Sequence, residues 1–135
     1  MNYFDEEVIK DFQNHNADLI ILTDAECDLL VNAISSLPFS GIQIAWSSLK
    51  GSTYLGTMES PEAQNSLVEK IISASNDDIL IIGDTADNAY SIDVKNLALA
   101  IEIFSQLPQH TFITQKHLSW IACISFRGHI DFSTL

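Results

Sequence analysis

Carboxylates follow two of the most apolar stretches of this 135-residue chain. The aliphatic run 19–22 is followed by Asp24 and Glu26, and the run 79–82 is followed by Asp84. Four consecutive aliphatic residues are typical of a buried strand, so both runs would place carboxylates at a strand end. Magnesium prefers hard oxygen ligands, and a bound magnesium stabilises the charge that develops in phosphoryl transfer. Metal-assisted phosphate chemistry is therefore one activity that the pattern indicates.

The two segments resemble the haloacid-dehalogenase phosphatase superfamily, in which an Asp after the first strand is the nucleophile. The resemblance implies Asp24 as nucleophile, Glu26 as general acid and Asp84 as a magnesium ligand. Phosphate binding would fall to further polar residues, namely Ser47 or Ser48 together with Lys70.

The sequence departs from that family at three points. Glu26 stands where the family uses Asp, and Asn88 occupies the position of the usual second acid. The stretch between Asp24 and Ser47 is too short for the family's flap. An Asp that begins a helix after a strand is also a common structural feature, so the pattern has a purely structural interpretation.

A second chemical possibility is a cysteine nucleophile formed by Cys123, His129 and Asp131, which would require contact between sulfur and imidazole. A three-residue turn over 127–129 would leave His129 at the tip of a hairpin, about 10 Å along the strand from Cys123. We therefore expect Cys123 to be a core residue. Cys27 also lies in an apolar segment, and two unpaired thiols predict no disulfide. The histidines and cysteines lack the paired spacing of a zinc site, and we expect no metal or cofactor.

Charge is the least ordinary property of the chain, with 18 acidic against 6 basic residues and a net charge of −12. The imbalance lies in residues 1–102, because the remainder contains one acid, Asp131, against Lys116 and Arg127. Such a chain is repelled by nucleic acid and by anionic membranes and attracted to basic partners. Solubility requires a charge of only a few units, so the surplus favours a binding role.

The acidic surface can be placed on the predicted strands. If the strands at 19–22 and 79–82 run parallel, the residues that follow them gather at one rim of the sheet, where α/β proteins usually bind ligands. The predicted partner-binding residues are Asp24, Glu26, Asp28, Asp84, Asp87 and Tyr90. Asp77 and Asp78, at the opposite rim, form a competing patch.

In size, charge and secondary-structure pattern the chain resembles the small acidic immunity proteins of bacterial toxin systems, including contact-dependent growth inhibition. That resemblance implies a protein without enzymatic activity that binds one basic toxin domain, often a nuclease, and blocks it. A third possibility is a structural subunit that uses Leu99 and Ile103 as its contact face.

The predicted elements form an α+β domain with a mixed sheet, four helices and an antiparallel C-terminal hairpin. Helices are expected to begin at Tyr3, after the capping box Thr23–Glu26, at Pro61 and at Asp93. Strands are expected at 19–22, 42–46, 53–57, 79–82, 111–114, 118–126 and 130–132, with a loop at 83–91. Trp46 and Trp120 are expected in the core. The acidic N-terminus is unlike a signal peptide, and we expect a cytoplasmic protein.

Overall fold

The computed structural model describes residues 2–85 and 87–135, so Met1 and Ala86 lie outside it. Its helices are α1 (Tyr3–Asn14), α2 (Asp24–Ser35), α3 (Pro61–Ala74) and α4 (Leu97–Ser105). Its strands are β1 (Ile20–Ile21), β2 (Phe39–Ser40), β3 (Gln43–Ile44), β4 (Gly51–Thr57), β5 (Ile79–Gly83), β6 (Ala89–Ile92), β7 (Thr111–Thr114), β8 (Trp120–Ile124) and β9 (His129–Thr134). No helix of the described segments is long and apolar enough to cross a bilayer.

Seven strands form one sheet in the order β1-β6-β5-β7-β8-β9-β4, and β2 pairs with β3 in a separate hairpin. The α+β class, the four helices and the C-terminal hairpin β8–β9 are confirmed. Each neighbouring pair of described strands is antiparallel, so the sheet is more regular than the mixed sheet we expected. Short connections such as that between β5 and β6 permit antiparallel pairing, whereas parallel neighbours need a long crossover.

The sheet separates two hydrophobic cores. On one face α1, α3 and α4 pack against alternate strand residues such as Ile81, Ile113 and Trp120. On the other face α2 and the β2–β3 hairpin pack against the intervening positions, including Phe112 and Ile121. Because successive side chains of a strand point to opposite faces, β5 contributes to both cores, as its apolar run predicted.

Capping side chains fix where the helices begin. The Thr23 hydroxyl accepts from the Glu26 N–H, and the Glu26 carboxylate accepts from the Thr23 N–H, which confirms the predicted capping box of α2. Ser60 caps α3 in front of Pro61, also as predicted. Asp93 caps a short 3-10 helix, Val94–Asn96, that leads into α4.

Two predicted elements were wrong. The loop expected over 83–91 contains β6, which is buried along its whole length between β1 and β5. Its sequence, Ala-Tyr-Ser-Ile, is a short run in which Tyr90 and Ile92 favour a strand, and pairing with the adjacent β5 and the distant β1 stabilises that conformation. The strand expected over 42–46 is reduced to β3 and continues as a 3-10 helix, Trp46–Ser48. Trp46 is therefore half-buried outside the sheet, while Trp120 is a core residue as expected.

The apolar face of α4 is covered by the protein itself. Ile103 is buried in the larger core, and Leu99 packs against that core. Only part of Leu99 therefore remains exposed on the contact face that we considered for a structural subunit, and that hypothesis stays a prediction.

Candidate interaction surfaces

Exposed carboxylates collect where β1 and β5 end. The two strands run parallel, because each is antiparallel to β6, which lies between them. Ile20 and Leu80 lie at the same height along the two strands, since both pair with Ser91 of β6. The strand ends therefore lie at one edge of the sheet, two strand spacings or about 10 Å apart. We call the exposed residues Asp24, Asp28, Asp84 and Asp87, which follow these ends, the acidic edge.

Backbone contacts hold the acidic edge in place. Asp84 continues the β5–β7 pairing, since its N–H donates to the His110 carbonyl at 3.0 Å and its carboxylate accepts from the His110 N–H at 3.0 Å. The N-terminus of α1 contacts the same loop, where the Asn2 side chain donates to the Thr85 carbonyl at 2.9 Å. The conformation of the carboxylate-bearing loop is thus set by groups from β7 and α1.

The prediction that Tyr90 contacts a partner was wrong, because its side chain is buried and is not part of the surface. Its hydroxyl donates to the carboxylate of Asp5, which is itself buried and also accepts from the Asp87 N–H at 3.1 Å. Burial raises the pKa of the Tyr90 hydroxyl, and the hydrogen bond to Asp5 raises it further. Tyr90 and Asp5 therefore connect β6, α1 and the loop beneath the acidic edge, and neither is free to meet a partner.

The thiol of Cys27 lies near carboxylates of α1 and α2. Burial is the main cause that raises the pKa of Cys27, and a hydrogen bond from Ala89 opposes it. The carboxylates of Asp28, Asp24 and Asp5 raise the pKa further. Residues from α1 and α2 thus contribute to one negative field.

Glu26 belongs to a different surface from the other predicted contacts. Its pKa is lowered by the hydrogen bond from the Thr23 backbone, then by the Thr23 side chain and by the charge of Lys116. Glu26 lines an open groove of about 560 Å³ together with Asp77 and Asp78, the residues of the competing patch. We call this feature the α2 groove.

The α2 groove combines charge with apolar surface. Glu26, Leu29, Leu30 and Ala33 form its α2 wall, and Ile20, Ser91 and Leu80 are cross-strand neighbours on its floor. Ile20 is 61% exposed and Leu29 is 70% exposed. Exposed apolar residues of this size that line one groove indicate a surface suited to a partner.

A cavity of about 590 Å³ lies at the C-terminal hairpin, on the same face of the sheet as α2. We call it the hairpin cavity. Its lining includes Trp46, Tyr54, His110, Cys123, His129 and Asp131. Ser125 N–H donates to the His129 carbonyl, so the turn is 126–128, one residue earlier than predicted. Cys123 consequently pairs with Asp131, and His129 lies on their face, two positions or about 7 Å along the strand.

The groups in the hairpin cavity are not arranged for cysteine chemistry. The His129 ring is bonded to the Tyr54 hydroxyl at 2.7 Å. Burial raises the pKa of the Cys123 thiol, and the charges of Asp131 and Asp84 raise it further, so the thiolate is disfavoured. Burial also raises the pKa of Asp131, against the opposing effect of His129. Cys123 is a core residue, as expected.

The phosphatase hypothesis required three carboxylates to converge. Asp24 and Asp84 end strands separated by β6, whereas Glu26 lines the α2 groove. Within residues 2–85 and 87–135, no three Asp, Glu, His or Cys side chains are grouped so that they could hold a metal ion. The geometry does not favour phosphatase chemistry, which stays a prediction.

Sequence reasoning missed the apolar part of the α2 groove. Leu29 lies outside the buried stripe of α2. The available signal in the sequence was a second Leu directly before Leu30, at a position of the helix that does not face the core. There was no comparable indication for Ile20, since the aliphatic run 19–22 predicts a strand that is buried along its whole length. Comparison with protein-family models, with curated proteins and with solved structures finds no match for this chain, so its function is inferred from these surfaces alone.

Proposed function

We propose that this protein binds and neutralises a basic protein domain, in the manner of the immunity proteins of bacterial toxin systems. The observation that carries the proposal is that the half of the sheet formed by β1, β6 and β5 has exposed carboxylates at both ends. The acidic edge lies at one end, and Asp77 and Asp78 lie at the other. A nuclease is a fitting partner, since its active site presents Lys and Arg to phosphate, and carboxylates compete for the same cations.

The physical advantage of this surface is rapid encounter. Complementary charge accelerates association by one to three orders of magnitude, and ionic strength reduces that gain. Affinity would come from a small number of desolvated contacts, since charge at the rim of an interface contributes little to slow release.

The first test is whether the reading frame immediately upstream encodes a protein with a basic C-terminal domain, and its absence there would count against the proposal. Association with that domain is then followed at several NaCl concentrations. We expect the wild-type rate to fall steeply with salt, and the pair Asp84→Lys and Asp87→Lys to slow association about tenfold or more at low salt. Co-expression should also restore growth of cells that make the toxin domain.

The matched control is the pair Glu69→Lys and Glu102→Lys, which makes the same change in net charge at exposed positions of α3 and α4. Equal slowing by both pairs would mean that net charge alone matters and that the acidic edge has no special part. Association without salt dependence, or no association, would contradict the proposal.

A further inference from the structure

We infer that the α2 groove is the docking site for a basic amphipathic helix of the partner. This inference deepens the proposed function and rests on it, because it states which part of a basic domain this chain would hold. Shape, exposed apolar surface and charge at the groove each support it.

The shape of the α2 groove fits a helix. The residues of α2 that line it recur at i, i+3, i+4 and i+7, so one stripe of the helix forms the wall over about 10 Å. The opposite face of the sheet is covered by three helices, whereas this face has α2 and the small β2–β3 hairpin. A helix beside α2, at the usual separation of 8–10 Å, would complete the layer.

Exposed apolar side chains show where that helix would contact the protein. Leu29 extends from the α2 wall, and Ile20 of the edge strand β1 lies on the floor. Val31 is also on α2 and 41% exposed, but it does not line the groove. A partner that covers Leu29 and Ile20 would remove both from water without disturbing the core.

Charge decides which kind of partner can enter. The groove carries the carboxylates of Glu26, Asp77 and Asp78 against the single ammonium of Lys116. A second copy of this chain would bring the same three carboxylates and a net charge of −12, which opposes self-association here. An amphipathic helix with Lys or Arg beside its apolar stripe can place the stripe against Ile20 and Leu29 and the cations beside the carboxylates.

The experiment uses the full chain and an 18-residue synthetic peptide of Leu and Lys in amphipathic helical order. Binding is measured by calorimetry and mapped by amide NMR shifts. We expect the largest shifts around Ile20, Leu29 and Ser91. Leu29→Ser and Ile20→Thr should each weaken binding about tenfold, and Val31→Ser should leave it unchanged within about twofold.

Two comparisons separate the groove from general attraction of cations. A peptide of the same composition in scrambled order should bind at least about tenfold more weakly. The pair Asp77→Asn and Asp78→Asn should weaken binding more than the pair Asp24→Asn and Asp28→Asn, which makes the same change in charge at the acidic edge.

Equal binding of the ordered and scrambled peptides, or equal effects of Leu29→Ser and Val31→Ser, would overturn the inference. Shifts centred on the hairpin cavity would do so as well. Because no toxin domain takes part, such a result would leave the salt-dependent association of the proposed function intact. Conversely, peptide binding in the groove without association of the upstream domain would reject the proposed partner alone.

Discussion

The α2 groove and the hairpin cavity have nearly equal volumes and lie on the same face of the sheet, yet they differ in what their polar groups do. In the hairpin cavity the polar groups largely bond one another, as Tyr54 does with His129. His110 also accepts the Phe126 N–H at its Nδ1, so these side chains hold the hairpin in place. Both regions present exposed apolar side chains, Ile42 and Phe126 in the hairpin cavity and Ile20 and Leu29 in the α2 groove. They differ in charge, because the α2 groove has three carboxylates against Lys116 alone, whereas Asp84 and Asp131 share the hairpin cavity with Arg127.

One carboxyl group from each region makes the contrast sharper. Burial raises the pKa of Asp131 in the hairpin cavity, whereas hydrogen bonds from Thr23 lower the pKa of Glu26 in the α2 groove. The folded structure therefore disfavours ionisation of Asp131 and favours ionisation of Glu26.

The largest expected difference concerns the two thiols, one on α2 and one in the hairpin cavity. Cys123 is buried in the sheet, so a disulfide reagent should reach it only after the structure opens, at least about a thousandfold more slowly than a free thiol. Cys27 is half-buried and should react first. Thiol titration of wild type and Cys27→Ser at pH 8 measures both rates, and fast labelling of Cys123 would show that its sulfur can be reached from the hairpin cavity.

The next effect separates structure from binding within the α2 groove. Leu30→Ala should reduce the free energy of unfolding by about 3 kcal/mol, because Leu30 is buried in the smaller core. Leu29→Ala should change it by less than about 0.5 kcal/mol, because Leu29 is mostly exposed. Urea unfolding of both variants measures the difference. A large loss in Leu29→Ala would show that Leu29 supports the fold and is not available for docking.

A smaller effect is expected from pH, with opposite signs in the two regions. The raised pKa of Asp131 means that ionisation costs stability as pH rises above its unfolded value of 3.8, so Asp131→Asn should be more stable than wild type at pH 7. The lowered pKa of Glu26 means that its contribution is present at pH 7 and lost on acidification, so Glu26→Gln should be less stable at pH 7.

Thermal unfolding followed from pH 7 down to about pH 2.5 measures both effects, because acidification protonates both carboxyl groups and so reduces the difference in charge between wild type and the variants. The two variants should then match wild type more closely than at neutral pH. Shifts of the same sign at pH 7 would contradict the contrast between the two regions.

The smallest effect tests the polar contacts of the hairpin cavity. Tyr54→Phe removes the exposed hydrogen bond to His129 and should cost about 0.5 kcal/mol, without any effect on the peptide binding expected in the α2 groove. Denaturant unfolding and calorimetry measure these quantities separately. Weaker peptide binding in Tyr54→Phe would indicate that the two regions are coupled.

Local patterns were sufficient for much of the fold. The caps at Thr23 and Ser60 located two helices, and the aliphatic run at 79–82 located a strand that contributes to both cores. These features depend on residues a few positions apart, which interact with the same geometry in almost any context. The sorting of the C-terminal hairpin into apolar and polar faces was likewise predicted, although its turn lies one residue earlier.

Features that depend on distant partners could not be read in this way. β6 is an interior strand because the distant β1 pairs with its outer side, and the Tyr90 hydroxyl bonds to Asp5, 85 positions away. The predicted set of six contacts was divided for the same reason, since Glu26 lines the α2 groove together with Asp77 and Asp78. The order of charges in a sequence does not show how a helix is placed against the sheet, and so it does not show which carboxylates lie together.

The sequence by itself determined the starts of α1, α2 and α3, the central strand, the C-terminal hairpin and the negative charge, because each is a property of composition or of neighbouring residues. The tertiary structure decided which carboxylates lie together, which are buried, and where Ile20 and Leu29 stay uncovered beside them. Those outcomes depend on strand order and on the packing of α2, which bring together residues that are far apart in the chain.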